Sequence, residues 1–256
     1  PSSMPRLTWE ILGLVAISWD LFSLPFQAFE TQLNLIIQGS HLITCLFWSI
    51  DLMSNFFLGY YNESVIEMRP SMVAMRYMRT WFPLDLLLVS TDWGLLAVES
   101  TTDDWVGLVP AFILGRFARL MRLMRLLRLV RAARIVAVAR SLDRFITSDD
   151  ARSLFGIVKL LLGVVVSTHL VACGWYAIGE MDLNGDPSWV SIMREQGGQE
   201  TTAIYYYTTA LHWSLTQFTP GSMEVVPRNS VERGFAVVIL LSGLILFSSL
   251  VSSITA

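Results

Sequence analysis

The sequence is short of what most soluble proteins rely on. Of its 256 residues only 15% are charged, and it holds two cysteines and three histidines. Cys45 and Cys173 both fall in apolar runs, where a small buried hydrophobe is the better reading than a disulfide or a metal ligand. No Ser-His-Asp triad, paired-carboxylate site or glycine-rich phosphate loop appears in any loop, so there is no enzyme chemistry to assign. The net charge of −3 supplies no global basic field and argues against nucleic acid as a partner. No internal repeat is visible.

What is there is hydrophobicity. Hydrophobic residues make up 54% of the chain and nine are Trp, the composition of a polytopic membrane protein. Six apolar stretches reach the ~20 residues that cross a bilayer, at 9–28, 41–60, 77–97, 109–138, 153–178 and 231–256. A shorter, more polar run, 201–218, reads as a re-entrant half-helix. Arg69, Arg76 and Arg79 lie between spans two and three, and Arg140, Arg144, Arg152 and Lys159 follow span four. The opposite loops carry acids, Asp92, Glu99, Asp103 and Asp104 in one and Glu180, Asp182, Asp186, Glu195 and Glu200 in another. The positive-inside rule then places both termini in the cytoplasm of a multi-pass protein, with the plasma membrane as the expected location. No signal-peptide pattern opens the sequence and it stops within an apolar run, so a fragment is expected.

The fourth stretch is the unusual one. Arg116, Arg119, Arg122, Arg125, Arg128, Arg131 and Arg134 recur every third residue, with only Phe, Leu, Met, Val and Ala between them. On an α-helix, steps of three wind around the cylinder; on a 3₁₀-helix they form one row. A basic amphipathic surface helix would mix lysine and other polar residues on one face, and none occurs between these arginines. Seven arginines in mid-membrane would cost about 2.5 to 3.5 kcal/mol each, so they need partners. Asp20, Asp51 and Asp85 on the three preceding spans are the candidate countercharges. A helix so built feels the transmembrane potential, at about 2.3 kcal/mol per charge per 100 mV.

At "FWSIDLMSNFFLGYY", "YMRTWFPLDLLL", the arginine run closing in "SLDRF", and above all "STHLVACGWYAIG" (167–179), the chain resembles the superfamily of ether-à-go-go, hyperpolarization-activated and cyclic-nucleotide-gated channels. The resemblance covers essentially the whole chain. It implies an all-α membrane protein with a four-helix voltage-sensor domain, 1–148, and a pore domain, 149–256, of helix, re-entrant pore loop and helix, assembled as a homotetramer. It also implies, from the short link after Arg134, a sensor packed against the pore of its own subunit. Two spanning helices enclose no lumen, and four copies around an axis do, in keeping with the lack of an internal repeat.

The filter is expected in "QFTPGSMEVVP" (217–227), and there the resemblance weakens. Potassium-selective members carry Thr-x-Gly-Tyr-Gly or Thr-x-Gly-Phe-Gly, whose successive carbonyls replace the ion's hydration shell. Here Thr219, Pro220, Gly221 and Ser222 stand in that place, with no second glycine and with Glu224 two residues on. The run is closer to the shorter Thr-x-Gly-Glu filters of cyclic-nucleotide-gated channels. A wider filter passing sodium as well as potassium is expected, with four copies of Glu224 as an acidic ring, or else Glu224 paired to Arg228 or Arg233. Gly243 in the last span is either a gating hinge or a packing contact, and the serines at 242, 248, 249, 252 and 253 either line water or pack helices. His169 is read as hydrogen-bonded to a neighbouring span rather than as a pH sensor.

The reading is a voltage-gated cation channel core with the lipid bilayer, permeant monovalent cations and its own copies as partners. No cofactor or metal is expected in this segment; a cyclic-nucleotide site would belong to residues beyond Ala256. The alternative is a voltage-sensing membrane regulator whose pore unit does not conduct. A transporter would want inverted repeats or discontinuous helices, and neither is seen.

Overall fold

The computed structural model describes residues 4–29, 34–62, 65–67, 69–105, 148–181, 185–197, 202–219 and 221–255. The expected fourth span and all seven of its arginines, Arg116 to Arg134, lie outside them, as does Pro220. The chain forms two compact units, one of Pro1–Asp20 and Leu35–Val136, the other of Leu21–Asn34 and Ala137–Ala256.

The first unit is built from α1 (Met4–Phe26, as far as Asp20), α2 (Asn34–Ser54), α3 (Pro70–Arg79) and α4 (Phe82–Trp105). Helices α1 and α2 run antiparallel, as their contacts show in reversed order: the Trp19 indole donates to Ser40 Oγ at 2.7 Å, Gly13 faces the Phe47 ring, and Trp9 stacks on Phe47 at 4.7 Å. The Trp93 indole donates to Ser49 Oγ at 2.9 Å and ties α4 to α2. The span expected at 77–97 is broken at Thr80–Trp81, because Pro83 has no N–H to continue the helical ladder and instead sits in the first turn of α4.

One departure from an all-α chain follows α2. The helix ends at Ser54, gives one 3₁₀ turn (Asn55–Phe57), and is succeeded by an antiparallel pair, β1 (Tyr60–Asn62) and β2 (Val65–Glu67), with Tyr61 opposite Ile66. Aromatic and β-branched residues on either side of a polar "NES" favour a hairpin over a helix, which is why the second span stops short of residue 60. Helix α4, in turn, runs on through Glu99, Asp103 and Asp104, residues read above as loop.

The second unit holds α5 (Asp149–Glu180), α6 (Trp189–Gly197), α7 (Ala203–Phe218) and α8 (Ser230–Thr255), with the last turn of α1 and the 3₁₀ turn Gln27–Phe29. Its core is aromatic. Trp175 on α5 is fully buried, with Trp213 of α7 stacked on it at 3.9 Å, Trp189 of α6 at 5.7 Å and Phe235 of α8 at 6.2 Å. Helix α7 has 16 residues and is about 24 Å long, too short for a hydrocarbon core of ~30 Å.

Polarity is distributed inside-out in the first unit. Ile43, Ile50 and Met53 of α2 are exposed while Asp51 is buried, and on α4 Leu86 and Leu87 face outward while Asp85 and Asp92 do not. That is a helix set arranged for an apolar surrounding. By length and composition alone, Thr8–Phe29 and Asp150–Glu180 qualify as membrane-crossing among the described residues.

Candidate functional site

The carboxylates of the first unit share a pattern. On α4 the buried positions are Asp85, Leu88, Asp92 and Leu95, steps of three and four that trace one helical face, so the two acids lie about 10 Å apart along it. Asp92 is 1% exposed and is therefore not the solvent-facing loop residue that charge counting made it. On α2 the corresponding face is His41, Thr44, Trp48, Asp51 and Leu52. Asp20, near the end of α1, is buried too.

Neutral side chains meet these acids. The Trp9 indole donates to Asp51 Oδ1 at 2.9 Å and the Asn55 amide to Oδ2 at 3.3 Å. The Tyr77 hydroxyl donates to Asp85 Oδ2 at 2.8 Å. Asp51 and Asp85 are thus each met by a side chain from another helix, Trp9 of α1 and Tyr77 of α3. Phe56 and Phe82 close against Tyr77 at 5.0 and 5.8 Å. Such donors fix the orientation of the carboxylate oxygens. Sequence reading found the two acids and missed Trp9, Asn55 and Tyr77, since nothing local marks an indole 42 residues away as a partner.

In the second unit the "THLVACGWY" segment forms the buried face of α5. His169 sits between two elements: Nε2 lies 3.0 Å from the Phe22 carbonyl, and Nδ1 lies 3.0 Å from the Tyr207 hydroxyl. A carbonyl only accepts, so Nε2 carries the proton; in the neutral ring Tyr207 then donates to Nδ1. The Ser214 hydroxyl, with no exposure, donates to the Thr168 carbonyl at 2.9 Å. These bonds hold α7 across α5. At the other end of α5, the Tyr176 hydroxyl donates to Glu180, which Arg194 also meets in an ion pair. Burial alone would lower the Arg194 pKa, but Glu180 and Tyr206 outweigh it and raise it.

Helix α7 ends where the filter is expected. Its Thr202 N-cap accepts from the Tyr205 N–H, and at its end the Thr219 hydroxyl donates to the Leu215 carbonyl. Thr219, Gly221, Ser222 and Glu224 are exposed, and the partial negative charge of a helix C-terminus favours cations nearby. Among the described residues Glu224 makes no ion pair with Arg228 or Arg233. Gly243 is a point of close approach: a Cβ there would lie 2.5 Å from the Gln217 carbonyl oxygen, so α8 crosses the end of α7 with no room for a side chain. Ser242 and Ser248 are exposed and turn their hydroxyls back to the Val238 and Leu244 carbonyls, both at 2.8 Å.

Sequence reading also missed Glu232. It is 0% exposed, and its carboxylate accepts from the Trp189 N–H at 3.0 Å and the Arg228 N–H at 2.7 Å. Its own N–H donates to Asn229 Oδ1, the N-cap of α8. One side chain therefore joins the starts of α6 and α8, and the Asn-x-x-Glu spacing was the available signal.

The profile of the family described as "Ion transport protein" matches residues 6–256. The voltage-gated inwardly rectifying potassium channel KCNH2 of Cavia porcellus is 28% identical over 229 residues, covering 84% of this chain and 16% of the relative. The voltage-gated delayed rectifier potassium channel KCNH1 of Rattus norvegicus is 24% identical over 285 residues, covering 98% and 27%. The potassium voltage-gated channel unc-103 of Caenorhabditis elegans is 27% identical over 236 residues, covering 84% and 26%. The chain thus spans about a sixth to a quarter of the length of these relatives, and the resemblance read from its motifs is borne out.

Proposed function

Because the chain belongs to the ion transport protein family, which is one of channels and not of enzymes, we propose that it is the transmembrane core of a voltage-gated cation channel. It works as a homotetramer in the plasma membrane, with both termini cytoplasmic. Residues 1–148 are the voltage sensor and 149–256 the pore. The observation that carries the reading is the buried carboxylate face of the first unit, Asp51 and Asp85 with Asp92 two turns on, inside an apolar exterior. Acids in such a place call for cations, and Arg116, Arg119, Arg122, Arg125, Arg128, Arg131 and Arg134 are the ones the chain supplies. Asp20, Asp51 and Asp85 are the countercharges. As the arginine helix moves through the field, each guanidinium exchanges one carboxylate for the next, so no charge crosses the apolar layer alone.

The pore is weakly selective. The relatives are named as potassium channels, but the run Thr219, Pro220, Gly221, Ser222 offers one glycine where stacked carbonyl sites need two. Ions pass with part of their water, drawn by four copies of Glu224, and Gly243 is the point where α8 moves against the pore helix in gating.

Voltage clamp with ion substitution tests both halves. Arg122→Gln, Arg125→Gln and Arg128→Gln, made singly, are expected to lower gating charge and shift half-activation; unchanged charge movement in all three would overturn the sensor. A reversal potential near zero with sodium facing potassium at equal concentration is the expected result for the pore. A strictly potassium-selective value would overturn the filter reading, and gating currents without ionic current would favour a non-conducting regulator.

A further inference from the structure

Helix α3 turns large apolar side chains outward. Val73 and Tyr77 are buried, whereas Met72, Met75 and Met78 are 48%, 48% and 45% exposed, and Trp81, just past the helix, is 64% exposed. Arg76 and Arg79 are exposed as well. Going round the helix at ~100° per residue, Arg76, Met72 and Arg79 come first, then Met75 and Met78, then Ala74. Ala74 borders a cavity of about 570 Å3 between the end of α2 and the start of α4, whose lining, with Phe56, Phe57, Phe82 and Leu86, is entirely apolar. The surface therefore grades from cationic to methionine-rich to an apolar hollow.

Charge here has one sign. From Arg69 to Leu84 the chain carries three arginines and no acid. Past Trp81 the outer surface of α4 continues apolar through Leu84, Leu86 and Leu87. Helix α3 thus stands where a lipid-facing surface meets the basic side of the protein. Three exposed methionines and a tryptophan do not suit water, and two arginines do not suit the hydrocarbon core. The boundary layer suits both, since arginine reaches phosphate while its stem and the methionines stay among acyl chains. No acid on α3 can receive a lipid amine, so the complementary headgroup is net anionic.

We propose that α3 is an interfacial helix that binds an anionic phospholipid of the leaflet on its side of the membrane. The phosphate lies on Arg76 and Arg79, and an acyl chain crosses Met75 and Met78 into the cavity beside Ala74. The proposal rests on the membrane placement given under the proposed function, in which this leaflet is the cytoplasmic one, and is independent of conduction.

Native mass spectrometry of the full chain, with phosphatidylglycerol, phosphatidylcholine or inorganic phosphate added, tests it. Arg76→Gln with Arg79→Gln is expected to weaken phosphatidylglycerol retention about thirtyfold and to leave phosphatidylcholine retention unchanged. Ala74→Trp narrows the cavity while keeping both charges and is expected to weaken retention of both lipids. In vesicles containing phosphatidylglycerol, a spin label on Met75→Cys, with Cys45 and Cys173 buried out of reach, is expected to be relaxed by oxygen and shielded from a water-soluble nickel chelate. Equal phosphatidylglycerol retention by the double variant overturns the proposal, as does inorganic phosphate displacing the lipid at equal concentration, which would mark a free-anion site. A label open to the chelate also overturns it, and a label shielded from both relaxants does so in favour of a protein segment covering α3. Retention and labelling are read without any current, so a chain that conducts nothing would fail the channel reading and leave this one standing.

Discussion

The two units hold their most buried acids differently. In the second, Glu232 takes the main-chain N–H groups of Trp189 and Arg228. In the first, Asp51 and Asp85 are met by the side chains of Trp9, Asn55 and Tyr77. A main-chain partner moves only if its helix moves, so Glu232 locks α6 to α8. A side-chain donor can rotate away without moving a helix, which suits the exchange of partners proposed for Asp51 and Asp85. A stacked aromatic core of four rings fills the second unit, and a buried face of acids and leucines runs along α4 in the first.

The comparison breaks most readily at Glu232. Replacing it by alanine strands two buried N–H groups and is expected to cost about 3 to 5 kcal/mol, read as loss of thermal stability in detergent. Asp51→Asn keeps a hydrogen-bonding side chain of the same size and should cost about 1 kcal/mol. If the two variants melted alike, the distinction between locked and exchangeable acids would fail.

Gly243→Ala is the next largest. The added methyl meets a backbone oxygen at 2.5 Å that cannot swing aside, so about 1 to 3 kcal/mol of destabilisation is expected in the same assay. Gly163→Ala, in the open interior of α5, should instead stabilise by about 1 kcal/mol through helix propensity. A neutral Gly243→Ala would mean that α8 does not need this close approach.

If the first unit is the sensor as proposed, Asp92→Asn shifts half-activation as far as Asp85→Asn, by tens of millivolts, because both lie on the buried face of α4. A shift confined to Asp85 would show that burial alone does not make an acid a countercharge. The smallest effect is at Glu224. Its exposed carboxylate acts through space, so Glu224→Gln should lower single-channel conductance at low ionic strength and do little above ~1 M salt, where screening shortens its reach to about 3 Å.

How much of this could be read in advance follows from the range of each interaction. Apolar runs of bilayer length, the three-residue arginine period, the short re-entrant helix and the departure at residues 219–222 are local patterns, and helical geometry turns them directly into faces and spans. They carried the membrane class, the family and the two acids Asp51 and Asp85, both of which are buried. Boundaries were decided by single residues, as where Pro83 split the third span and strand-forming residues ended the second early. Partnership was decided only by packing. Asp92 looked like a loop acid until the 3.6-residue winding of α4 put it on the face of Asp85, and Glu232 drew no reading at all, because its partner at the start of α6 lies 43 residues earlier. A chain of mostly apolar residues can say which segments leave water; which buried charge meets which donor is set by contacts between segments far apart in sequence, and only the folded helices bring those together.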